Sequence, residues 1–175
     1  MDHQIDRSEP LISEQKIASA VTRIAREVEI DYADKDLHLI TILRGGLFFL
    51  TDLAREIQLP VSLDCLGISS YSGGSKGVIR ITKDLDDTIF DRHVLIVEDI
   101  IDTGLTLAYI RKNLLLRQPA SLQICTLLDR PYRRIVDVEV AYVGFEIPDA
   151  YVVGYGLDLN GKYRNWRYID TPPEE

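Results

Sequence analysis

Three carboxylates, a glycine and two threonines follow one apolar run in the middle of this 175-residue chain. A Thr-Gly-x-Thr sequence at the start of a helix offers backbone N–H groups, hydroxyls and the positive end of the helix dipole to a phosphate. Neighbouring carboxylates can accept hydrogen bonds from the hydroxyls of a ribose. The segment therefore predicts a site for a ribose 5-phosphate. Its residues are Glu98, Asp99, Asp102 and the tetrapeptide Thr103-Gly104-Leu105-Thr106.

Alternating strands and helices are predicted around this motif. A β-branched run precedes it, and a helix that begins at about Gly104 follows it. This alternation is typical of an α/β protein with a mainly parallel sheet, in which ligands bind beyond the carboxyl ends of the strands. The predicted helices cover residues 13–30, with Ser13 as N-cap, 47–57 and 104–116. The predicted strands cover residues 37–43, 61–68, 78–82, 93–97, 121–128, 138–145 and 151–155.

The composition is that of a single globular domain. Hydrophobic residues make up 46% of the chain and charged residues 27%, which excludes a disordered or collagen-like protein. Cys65 and Cys125 both lie in apolar runs, so we predict buried thiols rather than a disulfide or a metal site. A net charge of −8 disfavours nucleic acid as a partner. We see no signal peptide and no membrane-spanning run, and therefore expect a cytoplasmic protein.

Two further segments have the composition of ligand-binding loops. Arg44-Gly45-Gly46 follows the predicted strand over residues 37–43, where it forms a tight turn. Residues 69–77 contain four serines and three glycines, a composition that predicts a mobile loop rather than core. A loop of this kind is suited to cover a site from which water must be excluded.

Several of these segments together resemble a known family. Val94–Thr106 resembles the phosphoribosyl-diphosphate (PRPP) signature of the type I phosphoribosyltransferases, and its Ile-Ile-Asp-Thr-Gly version resembles that of the hypoxanthine–guanine enzymes. The similarity covers about residues 10–170. The other matching segments are residues 43–46 (pyrophosphate loop), Ser70-Tyr71 (flexible loop) and residues 143–158 with 163–165 (purine- and magnesium-binding region).

The resemblance implies transfer of a 5-phosphoribosyl group from PRPP to a purine base. In that reaction Asp102 is the general base near N7 of the purine, although a helix-capping role for it remains open. Glu98 and Asp99 bind the ribose hydroxyls. Thr103, Gly104 and Thr106 bind the 5-phosphate, and Leu105 contributes only its backbone N–H.

The resemblance also assigns the leaving group and the base. Pyrophosphate is held by Arg44, Gly45 and Arg164, with a cis peptide bond between Leu43 and Arg44 inherited from the family. Mg²⁺ is bound at Asp158 together with Glu98 and Asp99. Tyr151 stacks on the purine, Val152 binds its edge through backbone atoms, and Ser70 and Tyr71 belong to a lid.

One position departs from the family pattern. Arg130 stands where the family usually has a lysine that donates to O6 of the purine. Arginine also donates and never accepts, so a 6-oxopurine is still expected over adenine. The planar guanidinium differs in shape from an ammonium group, which leaves the preference among hypoxanthine, guanine and xanthine open. The next residues, 132–134, are interpreted as a solvated basic turn.

The expected architecture is the type I phosphoribosyltransferase fold, with helices flanking a mainly parallel sheet. A single domain over residues 1–175 would carry a small hood formed by about residues 1–12 and 129–175. The resemblance further implies a homodimer or homotetramer.

Two alternative functions share parts of the pattern. A pyrimidine-type phosphoribosyltransferase that regulates by binding RNA would need a basic face, which the net charge disfavours. A non-catalytic PRPP-sensing domain would keep the phosphate site without needing Asp102, and would normally be joined to a DNA-binding domain. Turnover with individual bases separates these functions from purine salvage.

Overall fold

A six-stranded sheet forms the centre of the protein. The computed structural model describes residues 9–71 and 78–173. The strands are β1 (Leu37–Leu43), β2 (Val61–Tyr71), β3 (Val78–Lys83), β4 (His93–Ile101), β5 (Ser121–Asp129) and β6 (Tyr142–Glu146). Their order in the sheet is β3-β2-β1-β4-β5-β6, and among the described strands the β2–β3 pair is antiparallel and the other pairs are parallel. The predicted α/β class with a mainly parallel sheet is confirmed.

Within residues 9–71 and 78–173, three α-helices cover the sheet: α1 (Glu14–Asp31), α2 (Leu47–Glu56) and α3 (Leu105–Leu115). Ser13 is the N-cap of α1, as predicted, and its Oγ accepts a hydrogen bond from the Lys16 N–H at 3.4 Å. The helix buries the apolar stripe that predicts it, which consists of Ile17, Val21, Ile24 and Val28. A short 3₁₀-helix over Pro131–Arg133 follows β5.

Two hydrophobic cores lie on opposite faces of the sheet. Successive side chains of a strand point to opposite faces. Leu37 and Leu39 of β1 therefore pack with α1 and α2, whereas Ile40 and Ile42 pack with α3. Cys125 is buried in the first core and Cys65 is partly buried, and both are free thiols. Helices on both faces explain why the parallel strands are apolar on both sides.

The strand ends differ from the prediction. β4 continues to Ile101, so Glu98 and Asp99 lie inside the strand rather than after it. β2 continues to Tyr71 because residues 68–71 pair with β3, so the predicted loop over residues 69–77 begins as a hairpin arm. Residues 72–77 lie outside the described part of the chain.

Two strands predicted near the C-terminus differ from the structure: one is shorter than predicted, and the other does not form. The strand predicted over residues 138–145 is only β6, because Val138 packs into the α3-side core instead of extending the sheet edge. No strand forms over residues 151–155, where only isolated bridges occur. Gly154 and Tyr155 have φ values of 100° and 49°, and the left-handed conformation is incompatible with a strand.

The strand order places a crevice between β1 and β4. The chain passes outward from β1 to β2 and β3, then returns to β4 and continues to β5 and β6, so the order reverses between these two central strands. Ligands of open α/β sheets bind at such a reversal, beyond the carboxyl ends of the strands. In the described part of the chain no helix is long and apolar enough to cross a membrane.

Candidate active site

The loop after β1 lies directly against the carboxylate of Asp99. A Cβ atom on Gly45 would lie 1.7 Å from Asp99 Oδ2, and one on Gly46 would lie 2.2 Å from Thr41 Oγ1. A larger residue at either position would therefore have to displace the side chain of Asp99 or of Thr41. The peptide bond between Leu43 and Arg44 is cis, in agreement with the family expectation. The structure thus brings Arg44 and Gly45 beside the acidic end of β4.

Glu98 and Asp99 are an acidic pair held largely out of water. Burial, followed by the charge of Asp99, raises the pKa of Glu98 well above its ordinary value, although the Ile42 N–H donates to Glu98 Oε1 at 3.1 Å. Burial also raises the pKa of Asp99 to about 6, opposed by a hydrogen bond from the Ile100 N–H and by the charge of Arg164. Since burial disfavours the ionised form of both groups, a ligand hydroxyl that donates to them or a bound metal ion would stabilise that form.

The predicted phosphate-binding residues line a cavity of about 190 Å³ at the start of α3. Gly104 is the N-cap residue, with a φ of 80° that favours glycine. Leu105 donates its backbone N–H to Thr103 Oγ1 at 3.4 Å, while its side chain is exposed and outside the cavity lining. The prediction that this leucine contributes only backbone fits the position of its side chain. The cavity is also lined by Glu98, Asp102 and Thr106.

The segment after the 3₁₀-helix braces this phosphate loop. Thr103 O accepts hydrogen bonds from the N–H groups of Ile135 and Val136, at 2.9 and 3.1 Å. Arg134 donates to the main-chain oxygen of Asp102 at 2.6 Å and also pairs with the carboxylate of Asp129. The interpretation of residues 132–134 as a solvated basic turn is therefore wrong for Arg134. Arg133 and Arg134 are the residues at the site to which the sequence analysis gave no role, and their position shortly after Asp129-Arg130-Pro131 was the available signal.

Gly104→Ala is expected to lower the free energy of unfolding by about 2 kcal/mol or more. The new Cβ would lie 2.3 Å from Val136 O in addition to occupying the left-handed region. Urea unfolding measures the loss. Gly161→Ala is the matched control, because Gly161 has the same φ of 80° and no atom within 4 Å of the added Cβ. An equal loss in both variants would show that the brace does not restrict Gly104.

Asp102 and Arg130 each present a buried atom without a hydrogen-bond partner in the described structure. These atoms are Oδ1 of Asp102, an acceptor, and Nε of Arg130, a donor. The two side chains approach each other, with Arg130 Nη1 3.8 Å from Asp102 Oδ2, and Arg130 is only 6% exposed. Native proteins rarely leave buried polar atoms unpaired, so an adjacent unpaired donor and acceptor predict a ligand that pairs with both.

A second group of predicted residues lies across the crevice. Arg164 pairs with the half-buried Asp158 at 2.6 Å and donates to Gly156 O at 2.5 Å. A Cβ on Gly156 would lie 2.1 Å from Gly45 O, so this segment packs on the loop after β1. The charges of Arg164 and Asp158 both act on the pKa of Asp99. The structure therefore brings the predicted pyrophosphate and metal residues together at the acidic pair.

The structure gives fewer contacts for the residues predicted to bind the purine and for those predicted to form the lid. Tyr151 is 56% exposed and donates its hydroxyl to Asp158 O at 2.8 Å, and Val152 is buried. The backbone of Ser70 and Tyr71 lies in β2, whereas their side chains do not belong to the described part of the structure. Among residues 9–71 and 78–173, no group of three or more His, Cys, Asp or Glu side chains is arranged to hold a metal ion unaided.

Comparison with known proteins agrees with this geometry. The family model of the phosphoribosyl transferase domain matches residues 10–160. The chain is 47% identical over 169 residues to the hypoxanthine-guanine phosphoribosyltransferase of Mycobacterium avium, which covers 92% of this chain and 83% of that protein. It is 48% identical over 172 residues to the hypoxanthine phosphoribosyltransferase of Haemophilus influenzae, which covers 95% and 94%.

The fold is similar to that of a solved relative. The crystal structure of a hypoxanthine phosphoribosyltransferase from Staphylococcus aureus superposes with a TM-score of 0.90 at 43% identity, and covers 94% of this chain and 90% of that one. The sheet order, the glycine loop after β1 and the phosphate loop after β4 thus occur in a chain whose sequence matches the family model over residues 10–160. This protein belongs to the phosphoribosyltransferase family and has its type I fold.

Proposed function

We propose that this protein transfers the 5-phosphoribosyl group of PRPP to a 6-oxopurine, hypoxanthine or guanine, and so salvages the free base as a nucleotide. The main observation in support of this proposal is that Asp102 Oδ1 and Arg130 Nε are buried without a hydrogen-bond partner among the described residues. A 6-oxopurine presents O6 beside N7 on one edge, where an N7–H can donate and O6 can accept. Adenine has an amino donor in place of O6, and Arg130 cannot accept from it.

Asp102 acts in this reaction as the general base. A ring nitrogen of the purine forms a bond to C1 of the ribose, and the bond between C1 and the pyrophosphate oxygen breaks with its electron pair leaving on pyrophosphate. The proton on N7 passes to Asp102. The buried Oδ1 supports this role, because its lone pair is not used by any donor in the described structure.

The sugar phosphate binds along the end of β4 and the start of α3. Glu98 and Asp99 accept hydrogen bonds from the two ribose hydroxyls. The 5-phosphate takes its contacts from the hydroxyls of Thr103 and Thr106 and from the backbone of Gly104 and Leu105. The cavity of about 190 Å³ supports this assignment, since it joins Glu98 to the amino-terminal turn of α3.

Arg44, Gly45 and Arg164 bind pyrophosphate, and a bound Mg²⁺ would supply further positive charge to this leaving group. Asp158, together with Glu98 and Asp99, would hold the metal. Mg²⁺ favours one or two carboxylates completed by phosphate oxygens and water, which suits a site without a larger protein cluster. The influence of Asp158 on the pKa of Asp99 supports their proximity.

The base is held from the other side of the crevice. Tyr151 stacks on the purine, and its exposed ring beside buried Val152 supports a stacking surface next to a fixed backbone. Ser70 and Tyr71 belong to a lid that excludes water. In the single domain over residues 1–175, the hood comprises residues 1–12 and 129–175, of which residues 1–8 and 174–175 lie outside the described part of the chain. The protein assembles as a homodimer or homotetramer.

An assay with separate bases tests this function. Protein, PRPP and Mg²⁺ are mixed with hypoxanthine, guanine, xanthine, adenine or uracil, and nucleotide formation is followed by absorbance. We expect turnover with hypoxanthine and guanine that stops when the metal is chelated. Turnover with uracil alone would favour a pyrimidine enzyme, and no turnover with any base would favour a PRPP-sensing domain.

Arg130→Lys is expected to change the kcat/KM ratios among guanine, hypoxanthine and xanthine without abolishing turnover. Lysine still donates to O6, but it loses the planar Nε–H that the structure leaves unpaired. We expect the ratio between two of the bases to change by about threefold to tenfold, the range set by one altered hydrogen bond. Steady-state kinetics with each base measures it, and unchanged ratios would show that residue 130 does not determine base choice.

A further inference from the structure

Arg133 lies between two carboxylates at the edge of the candidate active site. Its Nε is 3.1 Å from Oδ1 of Asp102, and its Nη1 is 3.1 Å from Oδ1 of Asp149. Since a guanidinium is planar and rigid, two such contacts fix its orientation. Asp149 is two residues before Tyr151, the proposed stacking residue. Arg133 therefore connects the phosphate loop, which carries Asp102, with the segment that contains Asp149 and Tyr151.

The contact with Asp102 is electrostatic and leaves the lone pair of the oxygen free. Asp102 Oδ1 lies close to Arg133 Nε, yet it accepts no hydrogen bond from any described residue. The N–H of Arg133 is therefore not directed at this oxygen. A positive charge next to an oxygen whose lone pair is free attracts the carboxylate without blocking proton transfer to it.

From this geometry we infer that Arg133 is a positioning residue for the general base, which holds Asp102 with Oδ1 directed toward the purine N–H. The inference rests on the proposed function. Arg133 itself need not contact the substrate. Its role differs from that of Arg130, whose buried guanidinium is proposed to bind O6 of the base.

A purely structural role for Arg133 does not fit its surroundings. Its side chain is 46% exposed and that of Asp149 is 63% exposed, and exposed ion pairs contribute little to stability. The main chain of the phosphate loop is held by other groups, because Arg134 binds Asp102 O and two backbone N–H groups bind Thr103 O. Loss of the Arg133 charge should therefore leave the Asp102 carboxylate with Arg130 as its remaining cationic neighbour among the described residues, at 3.8 Å, and leave the loop in place.

Steady-state kinetics of Arg133→Met tests the inference. We expect kcat with hypoxanthine to fall about tenfold, a fraction of what a general base contributes, while KM for PRPP changes less than about twofold. Arg133→Lys should recover part of the loss, because its ammonium retains the charge without the planar geometry. Arg117→Met is the matched control, since Arg117 pairs with Asp84 at 2.7 Å beyond the far end of α3, and its kcat should equal that of the wild type.

A purine analogue with a more acidic N–H distinguishes the positioning of Asp102 from a general loss of structure. In 8-azahypoxanthine the five-membered ring is a triazole, whose N–H is more acidic than that of an imidazole and needs less help from a general base. The loss in Arg133→Met should then shrink to less than about threefold. An equal loss with both bases, or a kcat within about twofold of the wild type, would overturn the inference. Arg133→Lys gives the same comparison if the methionine variant does not fold. Absence of turnover by the wild type would instead refute the proposed function.

Discussion

Asp102→Asn should lower kcat for hypoxanthine by about 10²–10³-fold while KM for PRPP stays within about twofold. Asparagine keeps the shape of the side chain but cannot take the purine proton. The main-chain oxygen of residue 102 still accepts from Arg134, so the phosphate loop keeps its position. The loss should therefore appear in the chemical step and not in binding of the sugar phosphate.

Initial rates at varied PRPP and saturating hypoxanthine separate these two effects. Asp36→Asn is a suitable control, because Asp36 is an exposed carboxylate that pairs with Arg92 beside the amino-terminal end of β1. Its kinetic constants should match those of the wild type. A kcat for Asp102→Asn within about threefold of the wild type would remove the proton-acceptor role and leave Asp102 as a loop residue.

The sequence predicts the part of the site that depends on local pattern. Strand β1 has the predicted bounds, Leu37–Leu43, since a short apolar run that ends in Arg-Gly-Gly has clear limits. Thr-Gly-Leu-Thr likewise predicts the beginning of α3 within one residue. Parallel strands share one carboxyl-terminal edge, so correct strands were enough to bring residues 44–46 and 98–104 together.

Contacts that depend on tertiary packing were not predictable in the same way. The unpaired Asp102 and Arg130 atoms arise where the end of β5 packs beside the phosphate loop, about 28 residues apart in sequence. The sequence of residues 132–134 does not indicate whether this basic segment is exposed to solvent or packs against the phosphate loop. Strand ends were also misjudged at β4, because the acidic pair suggests a loop until ladder pairing with β5 is known.

The acidic pair should make the ligand-free protein less stable as the pH rises. The pKa of Asp99 is about 6 in the folded protein against an ordinary value of 3.8, mainly because of burial. The folded state therefore binds this proton more tightly than the unfolded state. Stability from the protonated carboxyl is fully present below about pH 4 and is lost as the pH rises through about 6. The raised pKa of Glu98 acts in the same direction at higher pH.

Asp99→Asn is accordingly expected to stabilise the ligand-free protein and to impair the enzyme. At pH 8 the variant should gain about 2 kcal/mol in free energy of unfolding, or about 5 °C in Tm, and the gain should vanish toward pH 4.5. Asparagine cannot bind a ribose hydroxyl as a charged acceptor, so kcat/KM for PRPP should fall about 10–100-fold. Thermal unfolding from pH 4.5 to 8 and initial-rate kinetics measure the two effects.

Asp34→Asn provides the control for the pH dependence, because Asp34 is an exposed carboxylate in the turn after α1. Its Tm should follow that of the wild type at every pH. PRPP with Mg²⁺ should raise the Tm of the wild type more than that of Asp99→Asn, since binding to the folded state alone stabilises it. If the gain in Tm of Asp99→Asn did not depend on pH, the pKa of Asp99 would not be raised in the folded protein. The proposal that a ribose or a metal ion stabilises an ionised pair of Glu98 and Asp99 would then lose its support.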